Sequence, residues 1–263
     1  MKLGFIGTGN MASAIICGLL AQKVFPCNKL FAYDTDTQKL HSFVQETSIQ
    51  GCSSIQDLIR QSDAIILAVK PNIIEGLLSG LAGELNQKLL ISIAAGISLE
   101  RLENLTDPKQ AIIRVMPNIN LTVGEGMSAL CGNMPVTRDQ RDFVLRIFRS
   151  CGQAIELEEK YFSVFTAIAG SSPAFAYLFI DSLARAAVKH GLPKDLATDI
   201  AAQAVLGSAR MVSKSSDNPW GLIDKVCSPG GTTIAGLLAM EEQNFIATIV
   251  KGIDATIARE KEL

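Results

Sequence analysis

Two glycine-bearing stretches of this chain have the residue types and spacing to bind anions. The first is Gly7-Thr8-Gly9-Asn10-Met11-Ala12, which follows a short apolar run and opens a helical pattern. It reads G-x-G-x-x-A, the dinucleotide fingerprint. The first glycine permits a tight turn, the second lets a pyrophosphate approach the backbone, and the small third residue lets helix and strand pack closely. The helix start then offers free N–H groups and partial positive charge to phosphate. The second stretch is Ser228-Pro229-Gly230-Gly231-Thr232-Thr233, which precedes an apolar helical pattern over residues 234–240. It has no His, Asp, Glu or Lys. Its two glycines can turn sharply and gather N–H groups at a helix start, and its hydroxyls add neutral donors. With phosphates served by the first loop, this second one suits a substrate carboxylate. The same residues also suit a plain helix-capping turn, and the pattern alone leaves both open.

Asp34, at the end of the apolar run 30–33, completes the first motif. A carboxylate there can bond a ribose 2′-hydroxyl, or it can cap the next helix. It would repel a 2′-phosphate, Asp36 stands close by, and no Arg occurs between Gly7 and Arg60. This tips the reading toward NADH. The hydroxyls of Thr35 and Thr37 and nearby backbone N–H groups keep NADPH open. Ala68-Val69-Lys70-Pro71 and Ile93-Ala94-Ala95 end two further apolar runs, where ligands of open α/β sheets bind. Lys70 fits either a functional cation or a solvated strand-end charge.

These loops need a scaffold. Runs at 2–6, 30–33, 64–69, 89–94 and 111–115 read as buried strands. Helical patterns at 11–22, 35–45, 72–85 and 98–105 alternate with them, the last with Ser98 as N-cap. That order implies a mainly parallel sheet covered by helices on both faces. A strand at 126–131, a helix at 137–150 and a strand at 153–157 follow. After Glu158 the strands stop. Helical patterns continue at 172–190, 193–213, 220–226 and 242–260, with His190 at a helix end. The expected organisation is therefore α/β: a Rossmann-type doubly wound domain at 1–158 and an all-α domain at 159–263. Residues 174–188 and 200–212 are apolar on more than one face, so those helices need partners on several sides. Contact with a second copy satisfies that need; a self-contained bundle is the alternative.

Composition excludes several classes. Apolar residues at 48% and charged ones at 19% rule out disorder, and a net charge of −2 lacks a nucleic-acid footprint. No apolar run reaches membrane-spanning length. The N-terminus does not read as a secretion signal, which points to a reducing, cytoplasmic compartment and to six free cysteines, small core residues for the most part. With no C-x-x-C and two histidines, no metal site is expected.

The chain resembles the pyrroline-5-carboxylate reductases. V-C-S-P-G-G-T-T-I-A-G-L at 226–237 carries the likeness. It continues in G-F-I-G-T-G-N-M-A (4–12), A-V-K-P (68–71), S-I-A-A-G-I (92–97), R-V-M-P-N (114–118), V-G-E-G-M (123–127), G-S-S-P-A-F (170–175) and K-H-G-L-P (189–193). The resemblance implies reduction of the cyclic imine 1-pyrroline-5-carboxylate to L-proline by NADPH or NADH. It implies a Rossmann domain and a helical dimerisation domain, with dimers often assembled further, and a substrate site that both subunits help build. It also implies that Ser228, Gly231, Thr232 and Thr233 hold the substrate carboxylate, with Thr233 near the ring nitrogen as the catalytic residue. Glu159 falls on the substrate side. Ile6, Gly7, Thr8, Gly9, Asn10, Met11, Asp34, Ala68, Val69, Lys70, Pro71, Ile93, Ala94 and Ala95 line the cofactor. The loop Pro117-Asn118-Ile119-Asn120 departs from the P-N-T-P of many relatives and receives no contact. Two rivals stand beside this. A β-hydroxyacid dehydrogenase would need a poised lysine, and Lys189, Lys194 and Lys214 do not look poised. A non-catalytic nucleotide-binding regulator would not need both intact loops.

Overall fold

The computed structural model describes residues 1–81 and 83–260. Eight strands form one sheet in the order β3-β2-β1-β4-β5-β6-β7-β8. They are β1 Leu3–Ile6, β2 Leu30–Tyr33, β3 Gln50–Gly51, β4 Ala64–Leu67, β5 Leu89–Ser92, β6 Ala111–Met116, β7 Gly126–Gly132 and β8 Gly152–Glu156. All neighbours run parallel except β6 and β7. β1, β4 and β5 are buried at every position. Such strands need cover on both faces, and the alternation of side chains supplies two cores. Phe5, Ile66 and Ile91 pack with Ile15, Ile16 and Phe148 on one face. Ile6, Ile65, Leu67 and Leu90 pack with Leu58, Ile74 and Leu102 on the other.

The covering helices are α1 Asn10–Ala21, α2 Thr37–Thr47, α3 Ile55–Gln61, α4 Pro71–Gly80, α5 Leu99–Asn104 and α6 Arg138–Arg149. Ser98 caps α5 as expected, its hydroxyl accepting from Arg101 N at 3.2 Å. α2 starts two residues later than expected because Asp36, not Thr35, is its cap. The helix expected over 72–85 ends at Gly80, and Ala82 lies outside the described residues. β3 and α3 were not foreseen. β3 is two exposed residues, and α3 is a short helix of seven residues.

The described chain divides into two compact units, one built on Met1–Gly170 and the other on Ser171–Arg259. Helical structure begins within the first unit, with α7 Phe162–Phe165 and a π-helix over Thr166–Ser171. It runs on through α8 Ser172–Lys189, so Glu159–Lys189 is a helical run long and apolar enough to cross a membrane. That corrects the expectation that no such run exists. Pro173 sits in the first turn of α8, directly after the π turn, and the Ala169 carbonyl four residues before it accepts from Asn118 Nδ2 instead of from a residue-173 N–H. α9 Lys194–Lys214, α10 Pro219–Val226, α11 Thr232–Glu242 and α12 Phe245–Glu260 follow, and residues 261–263 lie outside the description. α12 starts later than expected because Asn244 takes a left-handed φ of 59°. Gly191, at φ 93°, turns the chain between α8 and α9. Those two helices pack on each other, with Ala184, Ala197 and Ala201 buried.

Candidate active site

The in-register strand ends explain why four sequence-distant loops share one edge. Ile6 pairs with both Tyr33 and Leu67, and Leu67 pairs with Ser92. The segments that follow these residues therefore emerge side by side: Asp34, then 7–11, then 68–71, then 93–95. With neighbouring strands about 4.8 Å apart, the row spans about 14 Å, enough for an extended dinucleotide. Backbone bonds align the exits, Gly7 N to Tyr33 O at 2.8 Å and Ala68 N to Ile6 O at 2.9 Å.

The glycines are placed for phosphate. Gly7 has φ 97°, and a Cβ there would lie 2.6 Å from the Ala68 carbonyl oxygen. Gly9 is the N-cap of α1, has no side-chain cap, and a Cβ built on it meets nothing within 4 Å. The N–H groups of the first turn of α1 thus face open space, as a pyrophosphate requires. Asn10 is exposed and Met11 half-buried beside them.

Thr8 and Asp34 form a unit that the sequence did not disclose. Thr8 is buried, and its N–H and its hydroxyl both donate to Asp34 Oδ2 at 2.7 Å. Asp34 Oδ1 accepts from Asp36 N at 3.0 Å, and Lys39 Nζ lies 3.9 Å from Oδ2. Burial pushes the Asp34 carboxyl up. The Thr8 hydroxyl, the backbone donors and Lys39 outweigh it and hold the group below its ordinary value. Asp34 therefore remains a carboxylate and clasps the glycine loop to the end of β2. The helix-capping alternative falls to Asp36, which accepts from Lys39 N.

Of the remaining edge residues, Ile6 and Ala94 are buried, so their side chains belong to the core. Ala68, Val69 and Ile93 are half-buried, and Lys70, Pro71 and Ala95 are exposed. Lys70 precedes Pro71 as the N-cap of α4.

Glu159 and Arg114 form a second unforeseen pair. Glu159 Oε1 accepts from Arg114 Nη1 at 2.6 Å and from Leu99 N at 2.8 Å. The Arg114 guanidinium, almost wholly buried, also lies 4.7 Å from the centre of the Phe162 ring. Cys131 lies in the same neighbourhood. Burial and the Glu159 charge push its thiol up to about 12, against the lowering effect of Arg114. Arg114 stood in a quoted motif, but no sequence signal linked it to Glu159.

In the second unit, the Ser228–Thr233 segment forms a tight turn into α11. Gly230 has φ 69°, and Gly231 N donates to Ser228 O at 3.0 Å. The Gly231 N–H is therefore engaged within the turn. Gly231 contributes its missing side chain instead, since a Cβ would lie 3.1 Å from the Ser228 carbonyl. No side chain caps α11, and its first backbone bond is Ala235 N to Gly231 O at 3.4 Å. The N–H groups of Thr232, Thr233 and Ile234 have no acceptor within the helix. Ser228, Thr232 and Thr233 are all exposed. Lys225 is paired with Asp217.

All six cysteines are free; Cys52 and Cys151 are buried, whereas Cys17 is exposed, contrary to the core role expected for it. Among the described residues no cluster of His, Cys, Asp or Glu could hold a metal ion.

The doubly wound sheet with an uncapped glycine loop and an acid at the end of β2 defines a nicotinamide-dinucleotide-dependent oxidoreductase. The helical half narrows the class. Residues 159–263 match the family model described as pyrroline-5-carboxylate reductase dimerisation, and residues 2–96 match that of NADP oxidoreductase coenzyme F420-dependent. A pyrroline-5-carboxylate reductase of Escherichia coli is 37% identical, covering 100% of this chain and 98% of its own. A crystal structure of 1-pyrroline-5-carboxylate reductase from Streptococcus pyogenes is 42% identical with a TM-score of 0.89, over 100% of this chain and 99% of that one. That of Plasmodium falciparum pyrroline carboxylate reductase with NADP bound is 37% identical, TM-score 0.89, over 100% and 97%. The chain belongs to the pyrroline-5-carboxylate reductase family.

Proposed function

We propose that this protein reduces 1-pyrroline-5-carboxylate to L-proline, the last step of proline biosynthesis, with NADPH or NADH as reductant. The observation that carries the substrate side is the α11 cradle. It offers backbone and hydroxyl donors with no cationic side chain, suited to a small carboxylate that must also leave. Thr232 and Thr233 N–H bind the carboxylate, Ser228 adds a hydroxyl, and Gly231 keeps the approach clear. The Thr233 hydroxyl bonds the ring nitrogen or a water beside it. Glu159 belongs to the same reading on its substrate side, with Oε1 already engaged and Oε2 left for contact.

The cofactor edge fits a dinucleotide because Gly9 leaves the α1 N-terminus open. Residues 6–11 would hold the pyrophosphate, Asp34 the adenosine ribose, and 68–71 with 93–95 the nicotinamide half. When bound, the dinucleotide supplies the hydride. The iminium form of the substrate already carries the charge that attracts it, so the chain's task is positioning rather than strong acid catalysis. The ionised Asp34 favours NADH, because a 2′-phosphate would meet its charge. The functional division falls at 158/159, the protein works in the cytoplasm, and α8 to α12 join two copies.

The test is oxidation of NADH and of NADPH in the presence of 1-pyrroline-5-carboxylate, with L-proline measured as product. Imine-dependent turnover is expected, at a lower KM for NADH. Turnover of a hydroxyacid but not the imine would overturn the reading, and a strong NADPH preference would overturn the Asp34 argument alone.

A further inference from the structure

Asn118 is a buried polar residue that the proposed chemistry leaves unused. It follows β6, and β6 pairs with β5 so that Arg114 stands opposite Ser92. Met116, which ends β6, and Pro117 therefore continue the row of strand ends past Ile93–Ala95, on the side away from Asp34. The Asn118 carboxamide is bonded at both ends. Oδ1 accepts from Met127 N, and Nδ2 donates to the Ala169 carbonyl, each at 3.0 Å.

Ala169 lies within the π-helix Thr166–Ser171. A π turn holds one residue more than an α turn and persists only where something outside the helix favours it. Two features do so here. Ala169 packs with Ala129, Phe162 and Phe165 against Met116 and Met127. A Cβ on Gly170 would lie 3.3 Å from Met116 Cε, so the turn lies close against the side chain that ends β6. Pro173, four residues after Ala169, has no N–H to offer that carbonyl in an α turn, and the Asn118 carboxamide donates to it.

We propose that Asn118 is a positioning residue for hydride transfer. By holding the Ala169 carbonyl it fixes the π turn on Met116 and Pro117, and so shapes the strand end beside the nicotinamide half of the cofactor edge. The proposal rests on the reductase reading above. The pyrophosphate and adenosine contacts lie at the other end of the row, so losing this hold should lower turnover more than cofactor binding.

The experiment compares Asn118→Asp and Asn118→Ala in the full chain, with Thr122→Ala as control. Asp keeps the acceptor for Met127 N but replaces the donor to Ala169; Ala removes both. The Thr122 hydroxyl donates locally to Ile119 O on the following turn. Gly170→Ala serves as a second route, since its methyl would lie 3.3 Å from Met116 Cε and 3.5 Å from Thr166 Cγ2, so that Met116 must shift while Asn118 is untouched. Expected for Asp, Ala and Gly170→Ala is a fall in kcat of about ten-fold or more, the scale of a small misplacement at the reacting centre. KM for the reduced nicotinamide should stay within about two-fold, and the primary deuterium isotope effect on kcat should rise as hydride transfer becomes limiting. Thr122→Ala should match the unaltered protein. Wild-type kcat per folded enzyme in the Asn118 variants, or an unchanged isotope effect in all three, would overturn the proposal. If both Asn118 variants fail to fold, Gly170→Ala decides by the same measurements. Absence of imine reduction by the unaltered chain would instead overturn the reductase reading.

Discussion

At the scale of single residues, a hydroxyl and a carboxylate carry the sharpest expectations. Thr233 is exposed at the start of α11, where no side-chain hydrogen bond engages it among the described residues. A hydrogen bond to a charged partner contributes about 1.5–3 kcal/mol, which corresponds to about ten- to a hundred-fold in rate. Thr233→Ala should therefore lower kcat/KM for the imine by tens-fold while KM for the reduced nicotinamide holds, as steady-state kinetics will read. Unchanged turnover would remove Thr233 from the chemistry. Asp34 makes a prediction about acid. Its carboxyl is held below the ordinary value of 3.8. A carboxyl depressed in the folded state adds stability above its unfolded pKa, and that stability is lost as pH falls through the folded pKa. Asp34→Asn should thus be less stable than the unaltered chain near neutrality, with the gap closing below about pH 4. Parallel denaturant titrations at several pH values will show it, and a gap constant down to strongly acid pH would refute the linkage.

At the scale of elements, the Glu159–Arg114 pair joins three parts: the start of the helical run, β6, and the first turn of α5. Arg114 is almost wholly buried, so removing its partner strands a charge. Breaking such a pair costs about 3–5 kcal/mol, whereas replacing both members by apolar residues is often close to neutral. Glu159→Ala should lower thermal stability markedly, and Glu159→Leu combined with Arg114→Met should recover much of it. A Glu159→Ala variant as stable as the unaltered protein would show that the pair carries little structural weight. Sequence reasoning could not find this tie, because its members stand 45 residues apart and neither has a local pattern. It did find β1, β2, β4, β5 and β6, because runs such as Ala64–Leu67 are apolar at every position, as doubly covered strands must be. It found the Gly7 turn because only glycine fits φ 97° against a neighbouring carbonyl. It missed β3, too short to show alternation, and the π-helix, whose sequence is as apolar as an α-helix. It could not see that the Gly231 N–H is spent on Ser228 O, because a motif specifies residue types but not which N–H a turn consumes.

At the scale of the whole molecule, the uneven burial of the helical unit demands a second surface. Within α8 and α9 only Pro173, Ala184, Ala197 and Ala201 are buried among the described residues, and within α10, α11 and α12 none is. Leu178 at 68% exposure, Ile200 at 53%, Met211 at 60% and Leu238 at 56% instead face outward. Covering a side chain of this kind stabilises by about 1.5–3 kcal/mol, so a dozen such residues on both partners can offset the entropy lost on association. Exposed apolar surface on this scale marks an interaction face, and a second copy of the same helices is its natural complement. A carboxylate placed on that face would have to be desolvated without a partner. Leu178→Glu and Ile200→Glu, each on an already exposed position, should leave the helix content of the separate chain intact by circular dichroism. They should shift the mass measured by light scattering from a dimer or larger assembly toward the 28.1 kDa single chain. An unaltered protein that already runs as a single chain, or variants whose assembly is unchanged, would show that α8 and α9 do not form the contact.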